Sequence, residues 1–152
     1  MIGSAHRLMI GNFVCVIFCD SDQQRQASSL FSRYDTATIE NSIRALGYEP
    51  DSLQFSMNIP YIRTPQTQIL VDTGLGQGIS SLPQSLLMAG IEVNRIQHIV
   101  ISHAHGDHVG GVEDILKHYT VPVYGPARER IPAVTQRLKE DDHVDLPELG
   151  LA

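Results

Sequence analysis

The stretch Ile99 to Gly111, Ile-Val-Ile-Ser-His-Ala-His-Gly-Asp-His-Val-Gly-Gly, constrains this chain more than any other feature. The apolar run His98 to Ile101 reads as a buried strand, and a loop at its end presents side chains from a rigid support while one side stays open. His103 and His105 lie two apart, so in an extended backbone both imidazoles project to one side and can grip one cation. Gly106 permits a sharp change of direction, which aims Asp107 and His108 at a second position close by. Zinc takes neutral imidazole nitrogens and carboxylate oxygens, and a catalytic zinc keeps one position open for water. That water becomes a nucleophile near neutral pH, and two metals can share it while one polarises the oxygen under attack. A lone His-x-His would read as a solvated loop, but here four ligand-type residues fall within positions 103 to 108, after a strand and before Gly-Gly.

The pattern His103-Ala-His105-Gly-Asp107-His108 resembles the His-x-His-x-Asp-His hallmark of the metallo-β-lactamase-fold hydrolases. Upstream, Ile69-Leu-Val-Asp72-Thr-Gly-Leu-Gly76 resembles the strand and Asp-Thr-Gly turn that precede the hallmark in that family. The resemblance implies an α/β (α+β) chain with the αββα sandwich, and an enzyme that hydrolyses ester-like bonds with metal-activated water. It implies His103 and His105 on a first metal and Asp107 and His108 on a second. Asp107 would also orient the attacking water and shuttle its proton, and Asp72 would support the ligand loop from behind. Zinc is the expected ion, one or two per site, with iron or manganese as alternatives. Residues 98 to 150, through Val123-Tyr-Gly-Pro-Ala-Arg-Glu-Arg-Ile-Pro132 and Val144-Asp-Leu-Pro-Glu-Leu-Gly150, are similar to the glyoxalase II branch, thioester hydrolases acting on hydroxyacylglutathione. Residues 8 to 76 are closer in style to the lactonase and organophosphate-hydrolase branches. A thioester is thus the first expected substrate and a lactone the second.

In the family a further strand and a Pro-Gly-His-Thr-like loop supply the third ligand of the first metal, and later residues complete the second. The resemblance therefore implies that residues 1 to 152 form a single partial domain, the N-terminal half of the sandwich. His143, in the charged turn Lys139-Glu-Asp-Asp-His143, reads as solvated, while His98 and His118 flank ordinary elements and His6 lies near the terminus. A reading from a different class follows: a metal-binding or dimerising fragment without catalysis, in which a homodimer completes the fold.

With 152 residues and 42% hydrophobic content the chain can bury one core. Its net charge of -6 argues against a nucleic-acid partner, and lowers a nuclease reading by analogy with ribonuclease Z, because phosphate neutralisation needs clustered Lys and Arg. Arg128 to Arg130, the densest basic run, is broken by Glu129 and reads as a solvated helix or turn. Partners are thus expected to be small molecules. No apolar stretch reaches the roughly 18 residues that span a bilayer, so no membrane partner is expected. Cys15 and Cys19 share a strand face too far apart to bridge, which suits a reducing, cytoplasmic setting, and without a second pair they are a weak zinc signal.

The remaining punctuation predicts the elements. Residues 8 to 19 read as a hairpin turning at Gly11-Asn12, with Asp20 to Asp22 ending its second strand. A short helix is expected from Ser21 or Asp22 to Phe31, then a surface helix capped by Thr38 and stopped at Gly47. Leu53 to Arg63 and Thr67 to Val71 read as antiparallel strands around Thr64-Pro-Gln66, with Pro60 at an edge or bulge. Ser81 and Pro83 open a helix through Ala89, Ile96 to Ser102 returns as a strand, Val112 to Tyr119 is helical, and Val121 to Tyr124 is a buried strand.

Overall fold

The computed structural model describes residues 5 to 76 and 78 to 146, which leaves the end of the Val144 to Gly150 segment outside the described residues. The described chain is mixed α/β, with seven strands in one sheet ordered as in sequence. They are β1 (Ala5–Ile10), β2 (Phe13–Arg25), β3 (Leu53–Arg63), β4 (Gln68–Val71), β5 (His98–Val100), β6 (Val123–Pro126) and β7 (Gln136–Leu138). β1 with β2 and β3 with β4 are antiparallel, whereas β4 to β7 run parallel. The helices are α1 (Ala27–Leu30), α2 (Thr36–Ala45), α3 (Leu82–Met88), α4 (Gly106–Val109) and α5 (Val112–Leu116), with a 3-10 turn at Val93–Arg95. No described helix is long and apolar enough to cross a membrane.

The chain divides into two compact units, one made of residues up to Ser21 together with those from Asn58 onward, the other Asp22–Met57. The first unit holds the core. Phe18, Ile59, Leu70, Leu86, Ile99, Ile101, Val112 and Val123 are all but sealed from solvent, and they come from β2 to β6, α3, α5 and the end of the β5 segment. Parallel pairing needs crossovers covered by helices, and α3 provides one between β4 and β5, with Pro83 in its first turn and Gly90 at φ +70 just past its end. Burying one aliphatic side chain of this kind stabilises a fold by about 1.5 to 3 kcal/mol, so the parallel strands around Ile99 are firmly anchored.

In the second unit the polar residues after Asp20 stay in β2 up to Arg25 and do not end the strand. The reason is cross-strand bonding: Ser56 Oγ donates to Asp22 Oδ1 at 2.6 Å, and the Gln24 amide donates to Ser52 Oγ. An exposed ribbon needs no apolar alternation. The helix expected from Ser21 therefore shrinks to α1, entered through Gln26, where the Ala27 amide donates to the Pro50 carbonyl at 2.7 Å. In α2 the cap is Asp35, not Thr38; the Asp35 carboxylate accepts from the Thr38 amide at 2.9 Å and from its hydroxyl at 2.7 Å.

Other expectations hold with shifted ends. The first hairpin turns at Gly11, φ +57. β3 and β4 meet around Thr64-Pro-Gln66, though Pro60 lies inside β3, one residue before the pairing with β4 begins at Tyr61. β5 stops at Val100 although the Ile101 amide still donates to Tyr124 O, α5 ends at Leu116 instead of Tyr119, and β6 starts two residues late at Val123. Cys15 and Cys19 are buried and form no disulfide.

Candidate metal centre

The candidate site forms where parallel strands β4 and β5 end side by side. Val71 pairs with Val100, so the next residues, Asp72 and the Ile101-Ser102 step, emerge together at the carboxyl ends of the strands. Sites in open α/β sheets favour that edge. Asp72 adopts φ 64, a left-handed conformation that costs most residues about 1 to 2 kcal/mol and that Asp tolerates better than most. Its amide donates to the Val100 carbonyl at 2.8 Å, which closes the strand pair and turns the carboxylate towards the following loop.

The carboxylate is buried and has three partners: Oδ1 accepts from the Ser102 amide at 2.8 Å, while Oδ2 accepts from Ser102 Oγ at 2.8 Å and meets His108 Nδ1 at 2.7 Å. A proton inventory with Asp72 as acceptor gives one consistent set of tautomers. Ionised Asp72 only accepts, so His108 carries its proton on Nδ1 and presents the Nε2 lone pair outward. Ser102 has one hydroxyl proton, already given to Asp72, so it can only accept from His103 Nδ1, 3.0 Å away. His103 therefore also presents Nε2. One buried carboxylate, directly and through Ser102, engages Nδ1 of two imidazoles.

Thr73 holds the same loop by its backbone. Its amide and hydroxyl both donate to the His108 carbonyl, at 2.8 and 2.9 Å, and its hydroxyl accepts from the Gly111 amide at 3.2 Å. The two loops touch so closely that a Cβ on Gly110 would lie 2.4 Å from the Leu75 carbonyl oxygen, and one on Gly76, itself at φ +82, would lie 2.3 Å from the Gly110 oxygen. Only glycines fit that contact.

The expected change of direction at Gly106 takes another form. Gly106 has no positive φ; it opens the single-turn helix α4, for which His105 is the extended N-cap residue, so Asp107 and His108 ride on a helical turn. The turn forms because its amides find local acceptors: His108 and Val109 both donate to the His105 carbonyl. His103 and His105 precede the helix.

The four expected donors are close together. Ring centroids of His103 and His105 are 4.6 Å apart, those of His103 and His108 are 3.8 Å apart, and Asp107 Oδ2 is 3.5 Å from His108 Nε2. Three imidazoles and a carboxylate are donor types that zinc takes, so the residues fit the metal in chemistry. Among the described residues, however, no group of three or more His, Cys, Asp or Glu side chains is arranged to hold one ion. The other histidines do not fill the gap: His143 and His118 are exposed, His6 lies in β1, and His98 is buried at the opposite end of β5, with Nδ1 3.5 Å from the Tyr124 hydroxyl.

Two contributors escaped the sequence reading. Asp20 is buried, and its carboxylate accepts from the Leu82 amide at 2.9 Å, the Leu75 amide at 3.2 Å and Ser80 Oγ at 2.5 Å, tying the segment after Asp72 to the start of α3. Glu129, which local sequence places in a solvated helix or turn, accepts from the Ala104 amide between the two leading histidines. Neither has a signal in local sequence, because each partner lies at least 25 residues away.

Residues 56–145 match the family profile described as Metallo-beta-lactamase superfamily. A hydroxyacylglutathione hydrolase of Alkalilimnicola ehrlichii is 54% identical over 48 residues, covering 32% of this chain and 19% of the relative. Thioesterase pkgB of Emericella nidulans is 32% identical over 98 residues, 64% of this chain and 28% of that protein. Among solved structures, AidC, a dizinc quorum-quenching lactonase, superposes with a TM-score of 0.69 at 23% identity, over 81% of this chain and 45% of that one. The hydrolase AbOPH of the beta lactamase superfamily gives 0.67 at 19% identity, over 82% and 45%. At those identities the structural likeness speaks for the fold, and the chain spans less than half the length of either structure.

Proposed function

The chain belongs to the metallo-beta-lactamase superfamily, and on that premise we propose that it carries the metal loop of a hydrolase of ester-like bonds, with a thioester as first substrate class and a lactone as second. The observation that carries this reading is the Asp72 network, which engages His108 directly and His103 through Ser102, in each case by Nδ1. Histidine ligands are commonly oriented in this way, by a carboxylate on the ring nitrogen that does not face the ion. His103 and His105 would hold one ion, Asp107 and His108 a second, with zinc first and iron or manganese as alternatives. Zinc there would lower the pKa of a coordinated water to about 7 and polarise the carbonyl under attack.

The chain's own residues would do the rest. Asp107, half-buried beside His108 Nε2, would accept a hydrogen bond from the attacking water and take its proton. Asp72 would hold the His108 ring in orientation by its Nδ1, and Thr73 would keep α4 from rotating away. Preference for a thioester rests on the relatives named hydroxyacylglutathione hydrolase and thioesterase. We further propose that residues 1 to 152 act as one partial domain, that the partner is a small molecule, and that the unbridged thiols Cys15 and Cys19 work in a reducing, cytoplasmic setting.

A second reading is favoured by the absence of a three-donor group among the described residues: a metal-binding or dimerising module without turnover. The discriminating experiment counts zinc per chain by elemental analysis and assays thioester and lactone hydrolysis beside a His103→Ala, His105→Ala variant. Thioester turnover above that control supports the hydrolase. Zinc binding with turnover equal to the control supports the module, and equal zinc in both proteins removes the metal loop from either reading.

A further inference from the structure

We propose that Glu129 is a positioning residue for the metal loop, fixing the backbone between His103 and His105 from the turn that follows β6. The inference rests on the proposed metal site but names a control that site does not itself contain. Ala104 is the residue between the two leading histidines, and the chain there belongs to neither strand nor helix, so its amide has no ladder partner. The Glu129 carboxylate supplies the acceptor at 2.5 Å. A carboxylate accepting from a backbone amide makes one of the stronger hydrogen bonds available to a loop.

The acceptor is itself held. β6 ends at Pro126, and the turn that follows is tied on three sides: the Ala127 amide donates to the Leu138 carbonyl at 2.7 Å, the Glu129 amide to the Pro126 carbonyl at 3.3 Å, and Arg137 Nη1 to the Glu129 carbonyl at 3.0 Å. Arg137 belongs to β7, which pairs with β6 through Gly125. The chain of contacts therefore runs from the last parallel strand, through Arg137 and Glu129, to the peptide joining the two histidines. Asp72 grips the loop at Ser102 and His108 on one side, and Glu129 grips it at Ala104 between them. Two carboxylates hold the loop, and neither needs to touch the ion.

An amide that loses a charged acceptor in a partly buried loop either stays unpaired or rotates towards water, and rotation about Ala104 swings both neighbouring imidazoles. Glu129→Ala should therefore speed hydrogen exchange of the Ala104 amide by about tenfold to a hundredfold, the scale of a charge-assisted hydrogen bond. Zinc affinity, read by competition with a chromophoric chelator, should fall by about tenfold, and the visible spectrum of the cobalt-substituted protein should change. Glu129→Gln keeps a carbonyl oxygen at the same reach and should restore most of both. Glu129→Asp, one methylene short, serves if the alanine variant does not fold, and should behave like a lost acceptor.

Exchange is measured on metal-free protein, so it answers independently of the proposed function. Should the native chain bind no zinc, the metal reading fails while fast exchange at Ala104 in Glu129→Ala still establishes the contact. Unchanged Ala104 exchange, or zinc affinity and cobalt spectrum unchanged in a native chain that does bind zinc, overturns the positioning role. Equal losses in the glutamine and alanine variants also overturn it, since the retained acceptor would then have had no effect.

Discussion

Asp72 concentrates more of the site's chemistry than any of the expected ligands. A buried carboxylate at φ 64 is an expensive placement, and it persists because three donors and the Val100 carbonyl hold it there. Asp72→Asn keeps the size but makes one terminal atom a donor, which must then face Ser102 or His108 and disturb the tautomer of the histidine. Zinc affinity should fall by about tenfold to a hundredfold, read by competition titration, and an unchanged affinity would reduce Asp72 to a turn former. The closeness of the histidines and Asp72 is legible in sequence because they sit at fixed offsets within short, strongly punctuated segments. Asp20 was not: it looked like the end of a strand, and its partners at Leu75, Ser80 and Leu82 become neighbours only once β2 lies against the segment after β4. Asp20→Ala should strand those donors and lower stability by about 1 to 3 kcal/mol in urea unfolding, whereas a loss below a few tenths would show that water replaces the carboxylate.

At the scale of elements, local rules succeeded where a residue's conformation decides the boundary and failed where a partner does. Gly11, Gly47 and Gly90 all take positive φ at the expected stops. The extension of β2 to Arg25 and the short α1 depend on the Asp22 to Ser56 and Ala27 to Pro50 contacts, which no window of sequence contains. The cap of α2 was misread by one turn because Asp35 and Thr38 are both good capping residues, and they bond each other. That bond gives a pH test. Donation from the Thr38 hydroxyl, then from its amide, holds the Asp35 carboxyl below its ordinary 3.8. A depressed folded value stabilises above the unfolded value, and the contribution is lost as pH falls through the folded one. Helix content by circular dichroism should therefore fall in the acid range below about pH 4, with a smaller change in Asp35→Ala, whose α2 lacks the ionised cap at every pH. Identical acid titrations of the two proteins would remove Asp35 as the cause.

At the scale of the molecule, the order of strands among the described residues leaves β1 and β7 as the edges of the sheet. β7 has three residues, which blunts it as a template, but β1 has six, all exposed, with Met9 at 59% and Ile10 at 60%. A strand of that length with an open row of amides and carbonyls invites another strand, and apolar side chains on it add to the driving force. Each ion of the proposed site has two donors here, whereas a catalytic zinc is usually held by three protein ligands. A second copy could both cover the edge and change which donors lie near the metal loop. The chain is expected to self-associate through β1, giving a dimer mass by light scattering at micromolar concentration, and Met9→Lys with Ile10→Lys should return it to a monomer by placing cations on the pairing edge. Zinc counted on both forms then separates the two consequences: equal zinc per chain means that dimerisation only shields the edge, and more zinc in the dimer means that the partner supplies a ligand. A native chain that stays monomeric at high concentration, with or without zinc, would show that β1 is sufficiently protected by its own side chains and that no copy of the chain contributes to the site.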